Sequence, residues 1–169
     1  MTTLGSPRLE LRPAAHHHGT VLAGMATDST GLADIQPRVD GIIASSLEWF
    51  SEHGFGLWVL HPAGQETPIG WAGLRPGSDP STPELLYGLA RDARGRGYAT
   101  EASTAILAWL FERPRFTGAW AATTRDNPAS RRVLGRLGMR LTGVEELDGV
   151  ESLVYRVSRA EWLAKQNPA

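Results

Sequence analysis

The spacing of apolar residues changes twice between positions 85 and 111, and these changes divide the centre of the chain into elements. Leu85–Ala90 is a short apolar run containing one tyrosine, which is typical of a buried strand. No apolar pattern continues through Arg91–Gly97. From Tyr98 onward, apolar residues recur at three- and four-residue steps, at Ala99, Ala102, Ile106 and Leu110. The pattern therefore predicts a strand, a glycine-rich turn and a helix that ends near Phe111.

The same two periodicities predict the elements on either side. Strands are expected at Arg8–Arg12, Phe55–Leu60, Ile69–Leu74, Phe116–Thr124, Met139–Val144 and Val150–Val157. Helices are expected through Val21–Met25, through Val39–Phe50 with Ile42, Ile43, Leu47 and Phe50 on one side, from Asn127 to Gly138, and after the capping box Ser158–Glu161. Asp28–Leu32 is expected to be a loop. At 169 residues, we expect one α/β domain over residues 1–169.

The turn Arg91–Gly97 has the properties of an anion site. Backbone N–H groups without partners and the positive end of the helix dipole meet at a helix start. Gly95 and Gly97 have no Cβ to hold a phosphate away from the main chain. Arg94 and Arg96 add positive charge at the same point. The sequence therefore predicts a phosphate or pyrophosphate site, with a glycine-rich turn that binds nothing as the alternative.

Spacing separates the phosphate-binding patterns that use this geometry. A P-loop needs Lys and Ser/Thr after its last glycine, whereas Gly97 is followed by Tyr98 and Ala99. A dinucleotide fingerprint favours a third glycine at Thr100 and an acid about 20 residues further on, where this chain has none. The pattern Arg/Gln-x-x-Gly-x-Gly/Ala is met by Arg94–Ala99.

Arg94–Ala102, with the sequence RGRGYATEA, resembles the acetyl-CoA pyrophosphate loop of the GNAT acetyltransferases of the RimJ/RimL type. Asn127–Met139 resembles a second motif of that family, Asn-x-x-Ser/Ala followed eight residues later by glycine and an apolar residue. The resemblance implies a mixed, mostly antiparallel sheet of about seven strands with helices on both faces. It also implies direct acetyl transfer from acetyl-CoA to an amine, without a metal. At Gly70 and Gly73 it implies close backbone packing, for which bulges are the alternative.

The resemblance assigns the residues that contact acetyl-CoA. They are Leu89, Arg94, Gly95, Arg96, Gly97, Tyr98, Ala99, Thr100, Asn127 and Ser130. Leu89 would supply a backbone N–H for the oxyanion, and Asn127 and Ser130 would lie beside the pantetheine arm and the thiol. Purely structural roles, Asn127 as an N-cap and Ser130 in the first helical turn, are the alternative.

The resemblance also assigns catalytic candidates. Many family members have a tyrosine seven residues after the motif asparagine to protonate the leaving thiolate, whereas this chain has Leu134. Ser130 is then the nearest candidate acid, and Tyr87 is another. Glu84 matches an acidic position of the RimJ/RimL pattern, where it would accept the amine's proton through water or bind an ammonium group. A solvated glutamate at a strand start is the alternative.

Composition narrows the chemistry further. The chain has no cysteine, which excludes disulfides, thiolate metal sites and a cysteine nucleophile. Met1–Arg12 has no apolar leader and no stretch approaches the length of a membrane span, so we expect a cytoplasmic protein. His16–His18 would fan around a helix, which favours surface or packing roles over a metal site.

Charge is distributed unevenly along the chain although the net charge is −1. Residues 91–140 hold ten arginines against four acids, which suits an anionic cofactor. Residues 13–74 hold one arginine, Arg38, against six acids, at Asp28, Asp34, Asp40, Glu48, Glu52 and Glu66. Because the resemblance places this segment beside the acceptor, we expect a cationic acceptor, with solvated helix faces as the alternative.

The sequence says less about other partners and about competing functions. A pI near 6.5 gives little support to nucleic acid binding, and we expect no membrane partner. The oligomeric state stays open between a monomer and a homodimer, and exposed strand edges would suit the homodimer. The competing function is a non-catalytic acyl-CoA-binding or sensing protein of the same fold, which Leu134 favours. RimJ/RimL relatives act on protein N-termini and on small amines, so both acceptor classes stay open.

Overall fold

A computed structural model describes residues 1–30 and 35–166. The described strands are β1 (Leu4–Gly5), β2 (Leu9–Pro13), β3 (Leu57–Pro62), β4 (Gly70–Arg75), β5 (Glu84–Leu89), β6 (Gly118–Thr123), β7 (Arg140–Leu147) and β8 (Val150–Ser158). The described helices are α1 (Gly19–Thr30), α2 (Gln36–His53), α3 (Tyr98–Phe111), α4 (Pro128–Leu137) and α5 (Arg159–Gln166). Short 3-10 turns occur at His16–His18 and Arg91–Ala93.

The chain divides into two compact units, with β5 running from one into the other. The first unit contains residues 1–75 and 86–106, and its strands follow the order β1-β2-β3-β4-β5. The second contains residues 76–85 and 107–169, where the start of β5 is followed by β6, β8 and β7. The β5–β6 pair is parallel, at Glu84 and Trp120, whereas the other registered pairs are antiparallel. The expected mixed, mostly antiparallel fold is confirmed, with eight strands rather than about seven.

In the first unit, α1 and α2 pack on β3 through a buried apolar cluster. Its members are Ala14, Leu22, Ala23, Val39, Ile43, Leu57 and Val59. The buried stripe of α2 also includes Ser46, whose Oγ accepts a hydrogen bond from Leu57 N at 2.7 Å and so joins the helix to β3. The expectation that Ile42 lies on this face is wrong, because the stripe through Ile43 and Ser46 leaves Ile42 42% exposed.

Helix ends and the hairpin follow local chemistry closely. Gly54 and Gly138 end α2 and α4 in the left-handed conformation, as expected of helix-terminating glycines. Asp148 and Gly149 both have positive φ in the tight β7–β8 turn. The expected loop at Asp28–Leu32 is wrong for residues 28–30, which belong to α1, since the low helix propensity of Asp, Ser and Thr is only a weak preference. Gly31 and Leu32 lie outside the described residues.

The described residues contain no helix that is both long enough and apolar enough to span a membrane.

Gly70 and Gly73 are sites of close backbone approach, as the resemblance implied. A Cβ on Gly70 would lie 2.4 Å from Gly88 O, and a Cβ on Gly73 would lie 2.3 Å from Gly56 O. We expect Gly70→Ala to destabilise the fold by about 1–3 kcal/mol, since the backbone oxygen cannot move aside cheaply. Gly41→Ala, at an exposed position of α2, is the control, because a Cβ there meets nothing within 4 Å. We expect that control to stabilise by about 0.5–1 kcal/mol.

Urea denaturation of the two variants measures both effects. Equal or greater stability of Gly70→Ala than of the wild type would contradict the close packing between β4 and β5.

Candidate active site

The glycine turn of the first unit has the backbone geometry of an anion cradle. Gly95 and Gly97 adopt φ of +75° and +81°, a region that residues with a Cβ rarely enter. A Cβ on Gly95 would meet nothing within 4 Å, so the space above it is open. The sequence prediction of a helix starting at Tyr98 is confirmed, and the two glycines turn the chain directly before that start.

Three backbone donors precede the first hydrogen bond inside α3. That first bond runs from Glu101 N to Gly97 O at 3.0 Å. The N–H groups of Tyr98, Ala99 and Thr100 therefore have no acceptor within the helix. The side chain of Ala99 is buried, and the hydroxyl of Thr100 is enclosed without a hydrogen-bond partner among the described residues. These two residues thus offer an anion their backbone N–H groups rather than their side chains.

Hydrogen bonds from the side chains of Arg94 and Arg8 hold the backbone of the turn. Arg94 Nε donates to Leu89 O at 3.1 Å, which ties the turn back to the end of β5. Arg96 O accepts a hydrogen bond from Arg8 Nη1 at 3.1 Å. Arg8 was not among the sequence candidates. The one sequence signal for such a partner is Glu101, a carboxylate in the first turn of a helix expected to bind an anion, which favours a nearby cation without identifying Arg8.

Two of the catalytic candidates, Glu84 and Tyr87, lie on opposite faces of β5. Side chains alternate along a strand, so Glu84 shares a face with Leu86, whereas Tyr87 lies on the opposite face with Leu85. Glu84 is only 4% exposed, which rules out the alternative of a solvated glutamate. Further along β5, a Cβ on Gly88 would lie 2.8 Å from the indole nitrogen of Trp71. The glycine therefore lets this ring rest on the strand directly before Leu89.

The second unit holds the candidates from the Asn127 motif. Asn127 is the N-cap of α4, and its Oδ1 accepts a hydrogen bond from Ser130 N at 3.0 Å. The cap leaves the two amide N–H donors of Asn127 outside this bond. Ser130 is half-buried in the first turn. Leu134 is completely buried with Leu137 on the inner face of α4, so the family's tyrosine position belongs to the core in this chain.

The acids of residues 13–74 are exposed where the structure describes their side chains. Asp40, Glu48 and Glu52 are exposed on α2, and Glu66 is paired with Arg12 at 2.7 Å. Asp34 and the side chain of Asp28 lie outside the described part of the chain. Exposed acids are expected both on a solvated helix face and on an acidic surface that attracts a cationic acceptor. The cationic acceptor therefore stays a hypothesis.

Of the three histidines next to α1, one packs in the interior, whereas His16 and His17 are exposed. His18 is buried, its Nδ1 accepts a hydrogen bond from Ala15 N at 3.0 Å, and burial lowers its pKa. The His17 ring is tilted by 44° against the His18 ring, with ring centroids 3.9 Å apart. Within residues 1–30 and 35–166, no group of three or more His, Cys, Asp or Glu side chains could hold a metal ion.

Comparison with known proteins identifies the same family as the two motifs. Residues 8–140 match the family described as an acetyltransferase (GNAT) domain. The chain is also 27% identical to the FsC-acetyl coenzyme A-N(2)-transacetylase of Aspergillus fumigatus, an alignment that covers 99% of this chain and 80% of that protein.

Solved structures share the fold over nearly the whole chain. The acetyltransferase from Agrobacterium tumefaciens is 28% identical, with a TM-score of 0.81 over 93% of this chain and 94% of that one. RimL, the ribosomal L7/L12 alpha-N-protein acetyltransferase in complex with coenzyme A, is 17% identical, with a TM-score of 0.77 over 93% and 98%. At 17% identity the likeness to RimL shows the fold, not the RimJ/RimL subtype.

Proposed function

The chain belongs to the GNAT acetyltransferase family and is an acetyl-CoA-dependent N-acetyltransferase, and on this premise we propose that its acceptor is a primary amine. The acceptor is a protein N-terminus or a small amine, and the acetyl group moves to it directly. The observation that carries the use of acetyl-CoA as the donor is the motif Arg94–Ala99 at the start of α3, with two left-handed glycines and helix-start N–H groups. We assign the chain to the RimJ/RimL type, as one cytoplasmic domain over residues 1–169.

The binding step uses the glycine turn. The N–H groups of Tyr98, Ala99 and Thr100, together with the positive end of the α3 dipole, bind the pyrophosphate of acetyl-CoA. Gly95 and Gly97 leave room for the phosphates at main-chain distance. The open space above Gly95 and the positive φ of both glycines support this assignment.

In the chemical step the neutral amine attacks the thioester carbonyl carbon. A C–N bond forms, the C–S bond breaks, and coenzyme A leaves as a thiolate. The Leu89 N–H stabilises the oxyanion, and Glu84 accepts the amine's proton through water. Ser130 relays a proton from water to the thiolate in place of the family tyrosine, taking up one proton as it gives up another, with Tyr87 as the second candidate. The burial of Glu84 and the aliphatic Leu134 support these roles.

A screen of amine acceptors, read by release of free thiol, tests the proposal. We expect turnover with at least one primary amine and none with the matched tertiary amine, which cannot lose a proton after attack. Tight acetyl-CoA binding without thiol release across peptides and small amines would favour the sensing protein instead.

The salt dependence of the acceptor's KM in the same screen decides between the two interpretations of the acids in residues 13–74. If the acids steer a cationic acceptor, its KM rises between low and high salt, because charges separated by more than about 8–10 Å are screened. A neutral best substrate with a constant KM would mean that Asp40, Glu48 and Glu52 are a solvated helix face.

A further inference from the structure

Arg8 links the N-terminal strands to the glycine turn. It lies between β1 and β2, and its Nε and backbone N donate to the carboxylate of Glu101 at 2.7 and 2.8 Å. Its Nη1 donates to Arg96 O at 3.1 Å, and its guanidinium lies 4.6 Å from the centroid of the Tyr98 ring. A Cβ on Gly97 would come within 3.5 Å of Nη2. One side chain therefore contacts the turn, the helix start and the carboxylate beside them.

Glu101 makes this contact necessary. A carboxylate in the first turn stabilises the helix dipole, but it occupies the position that attracts a bound anion. Burial would raise the pKa of Glu101, yet hydrogen bonds from Ser6 and Arg8 outweigh it and lower the pKa below the ordinary carboxyl value. Glu101 therefore stays ionised at neutral pH. Without a paired cation, its charge would oppose the phosphates of acetyl-CoA.

We propose that Arg8 is a positioning residue for acetyl-CoA, which neutralises Glu101 and fixes the Arg96 carbonyl so that the helix-start N–H groups face the pyrophosphate. This inference rests on the proposed use of the turn for acetyl-CoA binding. Arg8 acts through the turn and not on the reacting thioester, so its loss changes affinity rather than the chemical step.

The test is a double-mutant cycle with Arg8→Met and Glu101→Gln, in which Met keeps much of the apolar stem of Arg8 and removes its charge. We expect Arg8→Met to weaken CoA binding by about 10–100-fold in calorimetry, because it leaves Glu101 unpaired beside the anion. At saturating acetyl-CoA, kcat should stay within about twofold of wild type. Adding Glu101→Gln to Arg8→Met should restore most of the affinity, because it removes the unpaired charge beside the anion.

Arg12→Met is the matched control. Arg12 is also paired with carboxylates, those of Glu10 and Glu66, but these pairs do not involve the glycine turn. We expect its CoA affinity to equal that of wild type. The loss in Arg8→Met should be the same for CoA and 3′-dephospho-CoA, since the proposed contact concerns the pyrophosphate.

Three outcomes would overturn the inference. They are equal CoA affinity of wild type and Arg8→Met, absence of rescue by Glu101→Gln, and a loss confined to CoA that disappears with 3′-dephospho-CoA. Failure of the wild type itself to bind CoA would instead contradict the proposed function, so the two failures are distinguishable.

Discussion

Gly97→Asp should abolish acetyl-CoA binding, whereas Gly97→Asn should only weaken it. Gly97 has φ of +81°, which Asp and Asn both enter more readily than other residues with a Cβ, so the two variants carry similar backbone strain. They differ by one negative charge where the pyrophosphate binds. A unit charge about 4–8 Å from a phosphate charge costs roughly 2–4 kcal/mol at an effective dielectric of about 20, or about 30–1,000-fold in affinity.

Gly64→Asp provides the control for strain and charge. Gly64 also has a positive φ of +75°, is exposed in the turn after β3, and a Cβ there would meet nothing within 4 Å. We expect this variant to bind acetyl-CoA as wild type does in calorimetry. Equal affinities of Gly97→Asp and Gly97→Asn would show that the turn does not hold a phosphate.

Glu84→Gln should lower kcat by about 10²–10⁴-fold, the typical contribution of a general base, while the Kd for acetyl-CoA stays near wild type. The substitution keeps the shape of a side chain that is only 4% exposed, so the fold should persist. Ser130→Ala should lower kcat more modestly, because water can take over proton delivery to the thiolate. Steady-state kinetics across pH, with calorimetry for acetyl-CoA, separates chemistry from binding.

Glu151→Gln is the matched control, since Glu151 is an exposed glutamate paired with Arg125 in the same unit. We expect full activity there, because an exposed ion pair contributes little. Should Glu84→Gln and Ser130→Ala both keep wild-type kcat at every pH, neither side chain moves a proton. Catalysis would then depend on positioning and backbone donors alone.

Local chemistry made much of the fold and the glycine turn predictable. The start of α3 at Tyr98 and the cap of α4 at Asn127 depend on residues within a few positions of each other, so their sequence signals are direct. Ile42 was misplaced because neighbouring isoleucines fit two adjacent helical faces equally well by spacing. The structure decides between them through packing on β3.

The contacts around Arg8 could not be predicted in this way. Arg8 and Glu101 are 93 residues apart, and Arg8 fits the polar positions of an alternating strand without any further role. The burial of Glu84 could not be predicted from the pattern of apolar and polar residues either, because a glutamate directly after Pro83 is also typical of a solvated strand start. In both cases the decisive fact is which distant backbone or side chain covers the residue, and periodicity carries no information on that.

Acetyl transfer to an amine is tested most directly by the mass of the acceptor after incubation with acetyl-CoA carrying an isotopic label in its acetyl group. We expect one labelled acetyl group on the amine nitrogen of the acceptor, in an amount equal to the thiol released, and no label on the protein itself. Label that accumulates on the protein would contradict direct transfer. If acetyl-CoA binds but no peptide or small amine becomes labelled, that result would contradict N-acetyl transfer by this protein.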